Sequence, residues 1–208
     1  MRRYRVWPFF LMGALLPAIV FGADSRKAGI VKGVIVVSGR PTADAIVSVE
    51  GLPGDYLKAQ TAGAKPKKAV IDQRDVKFIP RVLPVIVGTT VDFPNNDKSW
   101  HNVFSASEAK KFDLGLYAPG KTRSVTLDKA GVVRILCNVH PNMEAFVVVK
   151  EHPFFSATDK RGNYQIGGIP PGKYRLEVWH PDLGVKPVSF NMAREGEVLA
   201  IDLDLKKK

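Results

Sequence analysis

Short apolar or alternating runs recur along the chain, and turn-forming residues separate them. Near the start, residues 30–37 and 45–50 form two such runs, each ending at a glycine- and proline-containing turn. Near the end, residues 174–179 alternate with period two, and residues 199–205 carry leucine or isoleucine at every second position. A period of two is typical of a β-strand with one buried face. The pattern therefore predicts strands at both ends of the chain.

The middle of the chain continues this pattern, with strands predicted at residues 69–72, 82–93, 122–127, 131–137 and 144–149. Residues 55–68 lack periodicity and are rich in lysine, alanine and glycine, which predicts a solvated linker. Residues 105–112 give the one helical signal worth naming, a short helical turn. The predicted fold class is all-β.

The first 22 residues have the composition of an export signal. A basic start with Arg2, Arg3 and Arg5 precedes an apolar, uncharged stretch that two prolines interrupt. An uncleaved membrane anchor is the alternative, but the apolar stretch is short for a span. We therefore expect a periplasmic protein with no stable membrane insertion after signal removal.

The charge balance bears on the partner. The chain has a formal net charge of +11, and removing the three signal arginines leaves +8. Such a charge favours an acidic partner surface. The basic residues are scattered rather than clustered on a helix or among aromatics, so the sequence argues against nucleic-acid binding.

Residues 137–143 contain candidate metal ligands, because their sequence is Cys-x-x-His-x-x-Met directly after a predicted strand. Copper in electron-transfer sites is held by two imidazoles and a thiolate, with a weak axial thioether. His101, 36 residues before Cys137, is the obvious second imidazole. The single cysteine excludes a disulfide within the chain.

Other interpretations of these residues are possible. Taken singly, Cys137 and Met143 fit core positions and His140 fits a turn, but their order after a β-run favours a metal site. Zinc fits less well than copper, because methionine is a poor zinc ligand.

At this point the chain resembles the cupredoxins. The matching segments are residues 78–80, 87–95, 101–103, 131–137 and 140–143. The two-residue gap between His140 and Met143 is similar to the short ligand loop of amicyanin. The resemblance implies a Greek-key β-sandwich, to which the end of the chain adds a second small β-sandwich. It also implies one type 1 copper ion with His101, Cys137 and His140 as strong ligands and Met143 as the axial ligand. Asn102 would then hydrogen-bond to the ligand loop and help to hold it rigid.

The end of the chain resembles the carboxypeptidase regulatory-like β-sandwich. The similarity lies in Thr-Asp-x-x-Gly-x-Tyr at residues 158–164 and Ile-Pro-Pro-Gly-x-Tyr-x-Leu at residues 169–176. That family's opening strands have their counterpart about 100 residues earlier, at residues 31–51. We therefore expect an insertion rather than a tandem arrangement. The expected order is a signal peptide at 1–22, first sandwich strands at 23–61, an inserted cupredoxin domain at 62–150 and the rest of the sandwich at 151–208.

Two further histidines, His152 and His180, each precede a proline and lack a ligand-spaced partner in sequence. Solvent-exposed or capping roles are predicted for both, ahead of metal binding.

These features predict a non-enzymatic periplasmic protein that carries single electrons between redox partners. By analogy with amicyanin, a dehydrogenase or a cytochrome is the expected partner. Three rival hypotheses remain: a copper-handling or copper-sensing protein, a subunit of a copper oxidase or reductase, and a purely structural binding module. Four histidines are too few for a second multi-histidine centre beside the first.

Overall fold

The computed structural model describes residues 28–62 and 68–206. The predicted signal peptide at residues 1–22 therefore lies outside the described residues. In the described residues the chain forms one helix and nineteen strands, so the predicted all-β class is confirmed.

The elements follow one another in chain order from residue 29 to residue 205. They are β1 (Gly29–Val37), β2 (Arg40–Pro41), β3 (Ile46–Glu50), α1 (Gly54–Thr61), β4 (Lys68–Val70), β5 (Asp72–Arg74), β6 (Lys77–Ile79), β7 (Val82–Ile86), β8 (Thr89–Pro94), β9 (His101–Ser107), β10 (Lys110–Tyr117), β11 (Thr122–Leu127), β12 (Gly131–Leu136), β13 (Glu144–Lys150), β14 (Phe155–Ala157), β15 (Asn163–Ile169), β16 (Gly172–His180), β17 (Gly184–Met192), β18 (Val198–Ala200) and β19 (Leu203–Leu205).

The first and last strands belong together and form what we call the outer sandwich, β1–β3 with β14–β19. Strand β1 pairs antiparallel with β15 and parallel with β18 and β19. Strand β3 lies between β14 and β16 in a second sheet, whose two edges are β14 and β17. One hydrophobic cluster joins both sheets, and it includes Val31, Val47, Ile166 and Leu176. The chain therefore leaves the sheets of this sandwich after residue 50 and returns to them at residue 155.

The strands between, β4–β13, form the middle sandwich. One sheet has the order β10-β9-β12-β13-β7, and a second has the order β11-β8-β4. Their inward faces share a core that includes Phe93, Val133 and Ile135, each fully buried. Burial alternates along β8, as period-two patterning requires. Cys137 and Met143 belong to the same core.

Three sequence predictions in this region were wrong. Residues 105–112 are not helical, because they run through β9 and β10 with Ser107 paired to Lys110 across a tight turn. The predicted strand at 82–93 is two strands, divided at Gly88, whose φ of 85° makes a turn.

Part of the predicted linker at 55–68 is helix α1. Tyr56 anchors that helix by donating its hydroxyl hydrogen to the carbonyl oxygen of Gly168 at 2.5 Å.

A separate apolar cluster lies between the two sandwiches. Ile46 of the outer sandwich packs there with Val82 and Val148 of the middle one. Across the same junction, the rings of Phe146 and Trp179 meet edge to face with their centroids 5.5 Å apart. The two sandwiches are therefore in direct contact through side chains from β3, β7, β13 and β16.

In residues 28–62 and 68–206, no helix is both long enough and apolar enough to cross a membrane.

The end of the chain packs closely against β1, which gives a stability prediction. A Cβ atom at Gly33 would lie 2.0 Å from the carbonyl oxygen of Ile201, so Gly33→Ala forces the two backbones apart. Overpacking of this kind costs about 1–3 kcal/mol, so Gly33→Ala should lower the denaturant midpoint of unfolding. Gly54→Ala is the matched control, since nothing lies within 4 Å of its added Cβ. Equal midpoints for the two variants would contradict the close packing of β1 against this segment.

Candidate metal centre

Three donor side chains converge at one end of the middle sandwich. His101 opens β9, Cys137 follows directly after β12, and His140 lies in the loop that leads to β13. Strand β12 pairs with β9 through Leu136 and Phe104, which brings His101 and Cys137 together. The nitrogen, sulfur and nitrogen donor atoms all lie within 4.8 Å of one another.

Two of the three donor pairs lie at distances that suit a shared metal ion. Nδ1 of His101 lies 3.0 Å from Nδ1 of His140 and 4.0 Å from Sγ of Cys137. Nitrogen and sulfur ligands sit about 2.0–2.3 Å from a bound metal such as zinc. Two ligands of one ion can therefore be no more than about 4–4.6 Å apart, and these pairs satisfy that limit.

The burial of the donors is unequal. His101 is fully buried and Cys137 is 4% exposed, whereas His140 is half-buried. A buried thiolate and imidazole are shielded from water, and the partly exposed His140 ring gives the group one contact with the surface.

Met143, the predicted axial ligand, ends the loop. Its backbone N–H donates to the carbonyl oxygen of His140 at 2.9 Å, closing a tight turn. Its side chain is 1% exposed and lies in the same apolar core as Cys137. Its role as a ligand stays a prediction.

Asn102 contacts the loop that carries Cys137 and His140. Its Oδ1 accepts a hydrogen bond from the backbone N–H of Asn138 at 3.4 Å, one residue after Cys137. Its Nδ2 donates to Oδ1 of Asp113 at 2.6 Å. The Gly115 amide and Asn102 lower the pKa of Asp113, so this acceptor is ionised at neutral pH. Asn102 thus joins strands β9 and β10 to the loop that carries Cys137 and His140.

The sequence analysis missed Asp97. Its Oδ2 lies 3.0 Å from Nε2 of the buried His101 ring. A carboxylate only accepts hydrogen bonds, so Nε2 carries the hydrogen and Nδ1 keeps the lone pair that a metal requires. Metal-binding histidines commonly have such a carboxylate on the other ring nitrogen. The only sequence feature that could have identified Asp97 is its position four residues before a candidate ligand, and this feature is weak evidence.

Backbone hydrogen bonds hold the Asp97 carboxylate in place. The N–H groups of Val76 and Lys98 both donate to it at 2.7 Å. The pKa of Asp97 lies below its ordinary value, first because of the Val76 amide and then because of Lys98 and His101. The carboxylate is therefore ionised and oriented toward His101.

Asn95, fully buried, supports the loop between β8 and β9. Its side-chain amide donates to the carbonyl oxygens of Ser99 at 2.9 Å and Tyr117 at 3.2 Å. Its Oδ1 accepts from the backbone N–H of Asp97 at 3.1 Å. This residue ties the turn that carries Asp97 to the strand paired with β9, so the position of His101 is set by several contacts.

Exposed apolar residues adjoin the histidine donors in the chain. Val139 is 46% exposed and Trp100 is 55% exposed. These residues adjoin His140 and His101 in the chain, and Pro141 beside them is also exposed. Together, Trp100, Val139 and Pro141 form what we call the apolar rim.

The other two histidines differ from their prediction in exposure. His152 and His180 are both buried rather than solvent-exposed. Nδ1 of His180 accepts from the backbone N–H of Asp182 at 3.2 Å, which is the capping role predicted for it. His152 instead contacts the Glu50 carboxylate, 102 residues away in the chain, at 3.1 Å.

The residues present fit copper. A thiolate, two imidazoles and a nearby buried thioether are the donor types of copper electron-transfer sites. Among residues 28–62 and 68–206, His101, Cys137 and His140 are the one group of three or more histidine, cysteine or acidic side chains close enough to share a metal ion.

A comparison with models of protein families agrees with this chemistry. Residues 66–150 match the model of the family described as copper binding proteins, plastocyanin/azurin family. The cofactor is copper, which this family binds. No curated protein matches the chain.

Several solved structures are similar to part of the chain. A purple cupredoxin from Nitrosopumilus maritimus is 26% identical over 39% of this chain and 99% of its own, with a TM-score of 0.37. A reduced variant of amicyanin is 29% identical over 40% of this chain and 82% of its own, with a TM-score of 0.37. A copper-containing nitrite reductase from Thermus scotoductus is 22% identical over 43% of this chain and 24% of its own, with a TM-score of 0.39.

Asp97 gives the prediction for this site. Replacing it by asparagine removes the charge that holds the His101 ring, and loss of such a partner lowers metal affinity by about 10- to 100-fold. Copper affinity, measured by competition with a chelator, should fall by that factor. Asp128→Asn is the control, since Asp128 is an exposed acid paired with Lys110 at 2.8 Å. Equal affinity in Asp97→Asn and the unchanged protein would contradict the orienting role of Asp97.

Proposed function

We propose that residues 62–150 are a cupredoxin domain that holds one type 1 copper ion through His101, Cys137, His140 and Met143, and that the protein carries single electrons between periplasmic redox partners. The family match over residues 66–150 supports the domain. The convergence of three donor atoms within 4.8 Å carries the proposal for the site.

The rigidity of the donor group favours electron transfer over metal transport. Copper supplies the one-electron change between Cu(I) and Cu(II) when it is bound. The work of this chain is to keep its donors in one arrangement in both states, because rearrangement slows electron transfer. His101 is fixed by Asp97, and the loop before His140 is tied by Asn102 to β9 and β10. These contacts already hold the donor side chains in place, so no segment has to fold when copper binds.

The surface around His140 supports a docking role. His140 is half-buried, and the apolar rim of Trp100, Val139 and Pro141, which adjoins His101 and His140 in the chain, is exposed. Transient electron-transfer complexes use small interfaces. We infer that a partner docks on the rim and exchanges the electron through the edge of His140. The positive charge of the whole chain favours a partner with an acidic surface, such as a dehydrogenase or a cytochrome.

We further propose that the outer sandwich is a carboxypeptidase regulatory-like domain into which the cupredoxin domain is inserted. The pairing of β1 with β15 and of β3 with β16 supports the insertion. Support for the family comes from the turn at residues 158–164. There Asp159 Oδ1 accepts from the N–H groups of Arg161 and Asn163, and Gly162 has a φ of 77°. We assign this sandwich no catalytic role, and the protein as a whole is proposed to be a carrier rather than an enzyme.

A copper-handling protein is the second candidate function. The burial of the donor side chains argues against it and in favour of an electron carrier. Such a protein has to release its metal, whereas here two of the three donors are at most 4% exposed. Copper handling predicts fast loss of copper to a chelator and slow electron exchange.

Electron exchange between Cu(I) and Cu(II) forms of the protein, measured by NMR line broadening, tests the proposal. Two molecules must bring their apolar rims together, so Val139→Asp places like charges in contact and should slow exchange at least about tenfold. Val198→Asp is the control, because Val198 is 53% exposed on the outer sandwich. Exchange slower than copper loss to a chelator, or unaffected by Val139→Asp, would contradict the proposed carrier function.

Met143→Leu tests the axial ligand. A weak thioether donor favours Cu(II), so its loss should raise the reduction potential. A tenfold change in the relative affinity for the two oxidation states corresponds to about 59 mV for one electron, and a rise of about that size is expected by voltammetry. Met192→Leu is the control, since Met192 is equally buried but lies in the outer sandwich. The same potential in both variants would remove Met143 from the ligand set.

A further inference from the structure

The hairpin of β5 and β6 is bound to the metal centre, although it contributes no candidate ligand. The backbone N–H of Asn96 donates to the carbonyl oxygen of Gln73 at 3.0 Å. The Asn96 side-chain amide donates to Oδ1 of Asp72 at 2.8 Å. These two contacts attach the hairpin to the loop between β8 and β9, which carries Asp97.

The tip of this hairpin is a two-residue turn with an unusual backbone. Asp75 and Val76 have φ values of 52° and 55°. Glycine suits the second position of such a turn, and a β-branched residue there is an outlier. Val76 is 39% exposed and belongs to none of the hydrophobic clusters of the described residues, so packing does not impose this conformation. Strained residues of this kind cluster at functional sites.

The strained turn directs a hydrogen bond at the partner of His101. The Val76 N–H donates to Oδ2 of Asp97 at 2.7 Å, and Nε2 of His101 lies 3.0 Å from the same oxygen. The Lys98 N–H, by contrast, donates to the other oxygen, Oδ1. A shift of the Val76 N–H therefore acts directly on the oxygen that the His101 ring contacts.

Gln73 connects the same hairpin to the core beside His101. Its side chain is fully buried, and its Nε2 donates to the Tyr117 hydroxyl oxygen at 2.6 Å and to the carbonyl oxygen of Pro94 at 3.1 Å. Tyr117 lies opposite His101 in the pairing of β9 with β10, and opposite residues have neighbouring side chains. The hairpin thus contacts two neighbours of the His101 ring, one in the loop and one across the sheet.

We propose that the β5–β6 hairpin is a positioning element of the copper centre, and that copper on His101 and the Val76 turn stabilise each other through Asp97. A carboxylate on the other ring nitrogen makes an imidazole a stronger ligand. Because such coupling is reciprocal, copper on Nδ1 strengthens the contact of Nε2 with Asp97 and so holds the acceptor of the Val76 N–H. The proposal rests on His101 as a copper ligand and not on the electron-carrier role.

Amide hydrogen exchange in the copper-free and Cu(I)-loaded proteins, followed by NMR, tests this coupling. Partners of a metal-bound histidine change metal affinity by about 10- to 100-fold, so the Val76 N–H should exchange at least about tenfold more slowly with Cu(I) bound. The Arg161 N–H, which donates to Oδ1 of Asp159 at 2.8 Å in the outer sandwich, is the matched control. The Ser107 N–H, at the end of β9 remote from His101, is the control within the middle sandwich.

Both control amides should exchange at the same rate in the two forms. Equal rates for Val76 with and without Cu(I) would overturn the proposal. Equal slowing at Val76 and Ser107 would also overturn it, because copper would then tighten the middle sandwich as a whole.

An amide-to-ester replacement tests the hydrogen bond itself. Incorporating the α-hydroxy acid analogue of valine at position 76 removes the N–H and keeps the side chain. Copper affinity, measured by competition with a chelator, should fall about tenfold. In the copper-free variant, nitrogen NMR should show a smaller fraction of His101 with its hydrogen on Nε2, which a merely structural role of Val76 would not change. The same replacement at Arg161 is the control, and unchanged affinity in the Val76 ester would overturn the proposal.

These outcomes are separate from those that test the proposed function. If the hairpin has no role, the unchanged protein still shows its thiolate charge-transfer band and its electron exchange, and the ester variant matches it in copper affinity. Absence of that band in the unchanged protein would instead contradict the copper site, and with it both proposals.

Discussion

The contact between the Asp97 carboxylate and the buried His101 ring is the interaction on which the metal centre depends. It fixes the hydrogen on Nε2 and leaves Nδ1 facing His140 and Cys137, 3.0 and 4.0 Å away. The carboxylate itself is held by two backbone amides and by a turn that Asn95 supports. The buried His101 ring therefore has one fixed orientation, with the lone pair of Nδ1 directed at the other donors. A copper site whose geometry changes little between oxidation states requires donors fixed in this way.

The outer sandwich places this centre within a larger structure. Strands from before and after the middle sandwich pair with one another in the outer sandwich. The chain therefore enters and leaves the middle sandwich from the same domain. The junction combines an apolar cluster around Ile46, Val82 and Val148 with the polar group around Glu50. The junction is formed by side chains of β3, β7, β13 and β16, whereas Trp100, Val139 and Pro141 of the apolar rim remain exposed.

The sequence predicted features that depend on local order. Period-two runs identified most strands, and the order of Cys137, His140 and an upstream histidine pointed to residues that the structure brings within 4.8 Å. Features that depend on distant contacts were missed. Helix α1 is anchored by a hydrogen bond from Tyr56 to Gly168, 112 residues away, and the burial of His152 depends on Glu50, 102 residues away. Asp97 was missed because its contact with His101 arises from the geometry of the turn, which composition does not show.

Visible absorption and electron paramagnetic resonance of the Cu(II)-loaded protein, with Cys137→Ser measured beside it, test the central claim most directly. A thiolate bound to copper in a near-trigonal site gives an intense visible charge-transfer band and a narrow copper hyperfine splitting. The account predicts both signals in the unchanged protein and loss of the band in Cys137→Ser. A weak band with broad hyperfine splitting, or an intense band that survives in Cys137→Ser, would contradict it, because copper would then be bound without the thiolate.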